Sequence, residues 1–288
     1  MKKIEFLPEI EACWTFIATG DYKKAIEAGQ SAVKKYPKNL KAYYCLGLAY
    51  YNVGELKLAL ETLIKAESLT SNKEHLIDIY NIIGNILYDV GHLKDALLYY
   101  IKSLNLAEDL GNTDMQAIIL NNIAGIYKDE GALDKALSYY EESLRLKKDE
   151  KTKAPTHNNI AMIYFQKGDY QKAVEYFQKA IEIHEKYKNY HEVSKIKLTL
   201  GDIYRQMRDY KNAEKYLFEG LEDVKKIGDK FGEAMGYEYL RLFYEDKGDK
   251  KTAKEYFTRA YNLFKYELFK SIETESFLSL LASKKLQK

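Results

Sequence analysis

The chain has 288 residues, and its 45 basic and 43 acidic side chains are interspersed to a net charge of +2. That balance lacks the basic stripe needed for non-specific nucleic-acid binding. A hydrophobic content of 46% beside 31% charged residues excludes a disordered chain. No apolar run approaches the roughly 20 residues of a membrane-spanning helix.

The opening stretch MKKIEFLPEI places Glu5, Pro8 and Glu9 where a signal peptide would be apolar, so a cytoplasmic location and no membrane insertion are expected. Cys13 and Cys45 lack metal-ligand spacing. With only two cysteines no disulfide framework is expected, and both read as buried structural thiols. Prolines are scarce at 3 and tyrosines abundant at 27, which suits an all-helical chain.

One sentence recurs along the chain. IIGNILYDVGHLKDALLYYIKSL from Ile82 is followed by NIAGIYKDEGALDKALSYYEESL from Asn122 and NIAMIYFQKGDYQKAVEYFQKAI from Asn159. Aligned on a turn residue, the copies fall at Gly20, Gly54, Gly91, Gly131, Gly168, Arg208 and Gly248. Four residues earlier stand Phe16, Tyr50, Leu87, Tyr127, Tyr164, Tyr204 and Tyr244. Five residues later stands alanine in every copy: Ala25, Ala59, Ala96, Ala136, Ala173, Ala213 and Ala253. Seven further on stand Ala32, Ala66, Ser103, Ser143, Ala180, Gly220 and Ala260.

This pattern predicts helix, short turn, helix in each copy. Glycine at the turn tolerates a left-handed backbone. The alanine and the small residue two turns later share one helix face and allow close approach. Each pair leaves an apolar face for the next to cover. Two departures stand out. Gly29 replaces a large residue in the first copy. Arg241 replaces a small one in the last, so it must snorkel outward or the last pair must pack differently.

The residues G or A, Y, G-D-Y, A and A at these spacings resemble the tetratricopeptide repeat. Seven units are expected at about 6–39, 40–73, 77–113, 117–150, 154–190, 194–230 and 234–267, within one domain over 1–288. An amphipathic capping helix is expected at about 270–286, with Ile272, Phe277, Leu278 and Leu281 toward the array. Connections such as SLTSNKEH, AEDLGNTD, HEKYKNYHE and VKKIGDKFGE lengthen the helices. They are similar to the extended subclass of kinesin light chains, spindle-orientation adaptors and Rap-type regulators. The resemblance implies an all-α, right-handed superhelical solenoid that binds proteins or peptides.

No catalytic constellation is written. Phosphate-binding glycine loops are missing, and the carboxylate pair Glu141 and Glu142 reads as a solvated face. His75, His92, His157, His184 and His191 read as exposed loop or helix-end residues. No enzyme, cofactor or metal is expected.

The resemblance implies that the first helix of each pair lines a concave groove. Its register assigns Asn81, Asn85, Tyr88, Asn121, Asn122, Lys128, Asn158, Asn159, Phe165, Lys195 and Arg205 to that face. Asparagine offers both donor and acceptor, so a row of them suits the main chain of an extended peptide. The alternative is that some of them satisfy helix ends or neighbouring repeats. Ile10, Trp14, Ile17 and Leu48 form an apolar N-terminal patch that reads either as core or as a seat for an amphipathic helix or a second copy of this chain.

The carboxylate clamp of chaperone-binding members is not expected. Its Lys, Asn, Asn, Lys and Arg positions carry Ile10, Trp14, Cys45, Asp78 and Ile82 here; the later window Asn121, Gly125, Asn159, Lys195 and Thr199 matches only in part. The expected function is therefore a non-enzymatic adaptor or scaffold. The alternatives are a peptide-responsive Rap-like regulator, disfavoured because repeats starting near Phe6 leave no room for an effector module, and a self-associating assembly subunit.

Overall fold

A computed structural model describes residues 7–272, with side chains through residue 265. Within it the chain forms fourteen α-helices and no strand. They are α1 (Pro8–Thr19), α2 (Tyr22–Lys35), α3 (Leu40–Asn52), α4 (Leu56–Glu67), α5 (Lys73–Asp89), α6 (Leu93–Asp109), α7 (Thr113–Asp129) and α8 (Leu133–Leu146). A 3-10 turn at Glu150–Lys153 precedes α9 (Ala154–Gln166), α10 (Tyr170–Lys186), α11 (Tyr190–Gln206), α12 (Tyr210–Ile227), α13 (Lys230–Asp246) and α14 (Lys250–Ile272). The helices divide between two compact units, one ending at Lys148 and one starting at Asp149.

The repeated sentence is one packing unit. At six of the seven turn positions glycine takes a left-handed φ between +77° and +82°, and Arg208 reaches φ +60° in the same place. The alanines five residues on are buried in every copy, from Ala25 to Ala253. Ser103 and Ser143 add a bond where other copies carry alanine: their hydroxyls donate to the carbonyls of Ile77 and Ala117, each at 2.7 Å.

A second small position lies seven residues before the turn and faces a large residue nine after it. A Cβ on Gly84 would sit 2.5 Å from the Tyr100 ring. On Gly47 it would sit 2.7 Å from Leu63, and on Gly201 2.6 Å from Leu217. The large partner thus occupies the space that glycine leaves, and Tyr100, Tyr140 and Phe177 are fully buried there. A third pairing, not foreseen from the sequence, joins the tyrosine four before the turn to one eight after it. Tyr127–Tyr139, Tyr164–Tyr176, Tyr204–Tyr216 and Tyr244–Tyr256 all stack at 5.4–5.6 Å.

Both departures have structural outcomes. Arg241 turns to Glu238 and Glu245, at 2.5 and 2.7 Å, and Phe257, the large residue meant for that position, is left 52% exposed. At the other end neither Cys13 nor Gly29 is large, and Leu46 of α3 packs close to Gly29, with its Cβ 3.1 Å from where a Gly29 Cβ would stand. Cys13 and Cys45 form a disulfide, both fully buried. The expectation of two free thiols is therefore overturned. The pairing was not visible because it joins positions seven and nine residues before successive turns, which approach only when two repeats stack.

The longer connections go with longer helices. α5, α6, α7, α10, α11 and α13 have 17 residues, against 12 to 14 in α1–α4. The expected capping helix lies outside the described residues, except that α14 runs through its start to Ile272.

Candidate functional site

The first helix of each pair carries the candidate face, and each unit is built separately. In the N-terminal unit α5 and α7 lie side by side. Asn122 donates from Nδ2 to Asn81 Oδ1 at 3.0 Å and to Asn85 Oδ1 at 3.2 Å, while the Tyr100 hydroxyl donates to Asn85 at 2.8 Å. Asn81 is buried. The amides expected to meet a ligand here already bond to one another across the repeats, so the neighbouring-repeat reading holds for these three. Any ligand would meet their remaining donors and acceptors.

The residue three before the turn has a recurrent role. Tyr51 donates to Asp89 at 3.1 Å, Tyr88 donates to Asp129, and Arg205 Nη1 donates to Asp246 at 2.6 Å. Each donor reaches an acid two residues before the next turn. The arrangement is an inter-repeat clasp, legible only once the stacking is known. Burial foremost, then the neighbouring carboxylate, pushes the Tyr51 and Tyr88 hydroxyls up to about 12, so both stay donors at neutral pH.

Arg205 also donates from Nε to Asp202 at 2.8 Å, and Asp202 is buried. Burial opposes the guanidinium charge, but its bonds to Asp246 and Asp202 outweigh it and raise its pKa. Arg205→Ala is expected to cost about 2 kcal/mol, because Asp202 is left buried with a donor removed. Thermal or urea unfolding of the variant measures this. Arg205→Lys should recover only part of the loss, since one ammonium cannot reproduce the fork.

The other predicted residues fall into three groups. Asn158 and Asn159 on α9 are half-buried, and their amides make no hydrogen bond among the described residues. Asn121 is half-buried and has an interaction of its own. Lys128 lies 3.6 Å from Asp129, Lys195 bonds Glu192 at 3.2 Å, and Phe165 packs on Tyr170 at 5.9 Å.

The apolar patch resolves mostly into core. Ile10 is buried with Ala32 and Ala42, which removes it from any partner surface. Leu48 packs against the core around Leu63 and Ile83, and Ile17 is half-buried. Trp14 is half-buried and packs on Tyr44 at 5.6 Å. His184, expected to be exposed, is buried at the end of α10, and that burial lowers its pKa, with Glu192 opposing.

Among the described residues no group of three histidine, cysteine or acidic side chains could hold a metal ion, and no helix is long and apolar enough to cross a membrane.

The repeat geometry agrees with the comparison to known families. Tetratricopeptide repeat profiles match residues 14–71, 75–149, 152–226 and 242–265. The chain belongs to the tetratricopeptide repeat family. A TPR repeat-containing protein of Methanocaldococcus jannaschii is 35% identical over 86 residues, which are 30% of this chain and only 14% of that relative.

Two solved structures share the fold. One is a STAND signal-transduction ATPase with a tetratricopeptide repeat sensor from Pyrococcus horikoshii, with TM-score 0.76 and 22% identity over 93% of this chain and 43% of that one. The other is the Rap conjugation gene regulator of plasmid pLS20 in complex with the Phr* peptide, with TM-score 0.61 and 20% identity over 96% and 80%. At these identities the likeness is one of fold. The tetratricopeptide scaffold supports a protein-binding role.

Proposed function

We propose that this chain is a non-enzymatic adaptor whose first helices bind an extended peptide or protein segment. The observation that carries the reading is the pair Asn158 and Asn159, half-buried amides that make no hydrogen bond among the described residues, on the face that the repeat register assigns to ligands. A main-chain amide of a bound peptide offers the complementary donor and acceptor. In the N-terminal unit Asn122 is bonded to Asn81 and Asn85, which leaves only their remaining donors and acceptors for a ligand.

The test compares lysate proteins retained by the wild-type chain and by an Asn158→Ala, Asn159→Ala variant of equal helicity. A protein held by the first and lost by the second supports the reading. Equal retention of every protein contradicts it.

A peptide-responsive regulator is the second reading, favoured by the fold likeness to the Rap protein across 96% of the chain. It differs in requiring a change of shape on binding, which small-angle scattering with and without a bound peptide detects.

A further inference from the structure

A cavity of about 330 Å³ opens in the N-terminal unit, away from the asparagines. Glu11 and Trp14 of α1, Leu40, Lys41 and Tyr44 of α3, and His75, Asp78 and Ile79 of α5 line it. One wall is apolar and aromatic: Trp14 and Tyr44 meet at 5.6 Å with their planes tilted by 52°. Two acids, Glu11 and Asp78, share the lining. Asp78 is half-buried, Glu11 is exposed at the rim, and no cation forms an ion pair with either among the described residues. Lys41 shares the lining without reaching them.

Several other aromatic pairs of the protein carry a cation. Lys102 lies over Tyr80 and Tyr99, Lys135 over Tyr127, Lys172 over Tyr164, Lys215 over Tyr216 and Arg259 over Tyr256. Neither Trp14 nor Tyr44 carries a cation among the described residues. Some other pairs, such as Phe231–Phe264, also lack one. The cavity and its two carboxylates are what single out Trp14–Tyr44.

We propose that this cavity binds an arginine side chain of a partner peptide, stacked on Trp14 and Tyr44 and paired with Asp78 and Glu11. The charge complement decides the occupant: two carboxylates against one lysine leave net negative charge, and aromatic faces attract a cation. A planar guanidinium both stacks and donates to two carboxylates, which a lysine ammonium does less well. Burial raises the Asp78 pKa, with His75 nearby opposing, which is the condition of a carboxylate lacking its counterion. This site does not involve Asn158 or Asn159, so either proposal can fail without the other.

Trp14 is the single tryptophan and reports directly on the site. The experiment titrates the full chain with acetyl-Ala-Ala-Arg-Ala-Ala-amide, following Trp14 fluorescence, beside the counterparts with lysine and with uncharged citrulline. The expected result is a saturable change with the arginine peptide, weakened about tenfold by Asp78→Asn and less by Glu11→Gln. Asp78→Asn is isosteric; Glu11→Gln, on the exposed rim, keeps the test valid if the first variant loses helicity.

Binding should also weaken as pH falls through the raised Asp78 pKa, because protonation removes the anion. The other titratable groups that face it are Glu11, Lys41, Tyr44 and His75. An equal response to citrulline, equal affinity for lysine, no saturable response, or no effect of either substitution would each overturn the proposal.

Discussion

Removing the Cys13–Cys45 disulfide is expected to destabilise the first two repeats by about 3–4 kcal/mol, the amount that closing a loop of this length withholds from the unfolded chain. The bridge joins α1 to α3 across a sequence separation of 32. It also fixes α1 in a copy where neither Cys13 nor Gly29 supplies the large side chain that other copies pack on a small one, so the reduced protein has less to hold its first repeat. In a repeat array each unit leans mainly on its neighbours, so the loss should be local.

Hydrogen exchange with and without reductant measures it. Amides of α1, α2 and α3 should exchange much faster after reduction, while those of α10–α12 should not change. Uniform protection in both states would show that the bridge adds nothing to an already stable pair. The cytoplasmic location expected from the sequence sits uneasily with this bridge, because cytosolic pools keep most thiols reduced.

The second large effect concerns one register position read in three copies. Tyr100→Ala and Phe177→Ala are each expected to cost about 3–5 kcal/mol, because both side chains are fully buried and their loss leaves a cavity. Phe257→Ala at the same position of the last repeat is expected to change stability by less than about 0.5 kcal/mol, since Phe257 is 52% exposed. Urea unfolding of the three variants decides the matter. A Phe257 loss as large as the others would mean that the last pair packs like its predecessors, against the outward turn of Arg241.

These two effects mark what was legible in the sequence. The invariant alanines, the turn glycines and the small residues opposite them are local in register, so periodicity alone revealed helix, turn and close face. The disulfide, the tyrosine stacks and the Tyr51, Tyr88 and Arg205 clasps depend on which residues meet when one pair lies on the next. A repeat pattern names the faces without saying which side chains across them bond to each other.

The same limit governed the candidate site. Asn81, Asn85 and Asn122 were placed on the predicted face, but whether they turn to a ligand or to each other depends on distances of about 3 Å between helices. The cavity at Trp14 escaped notice because it draws on α1, α3 and α5 together. In the sequence its acids are ordinary surface residues.

The most direct measurement is calorimetric titration of the chain with an extended decapeptide selected from a random display library, beside the same peptide N-methylated at alternate main-chain amides. If free asparagine amides read the peptide backbone, methylation and the Asn158→Ala, Asn159→Ala variant should each weaken binding about tenfold, and together little more than either alone. Unchanged affinity in both comparisons would contradict main-chain recognition by this face.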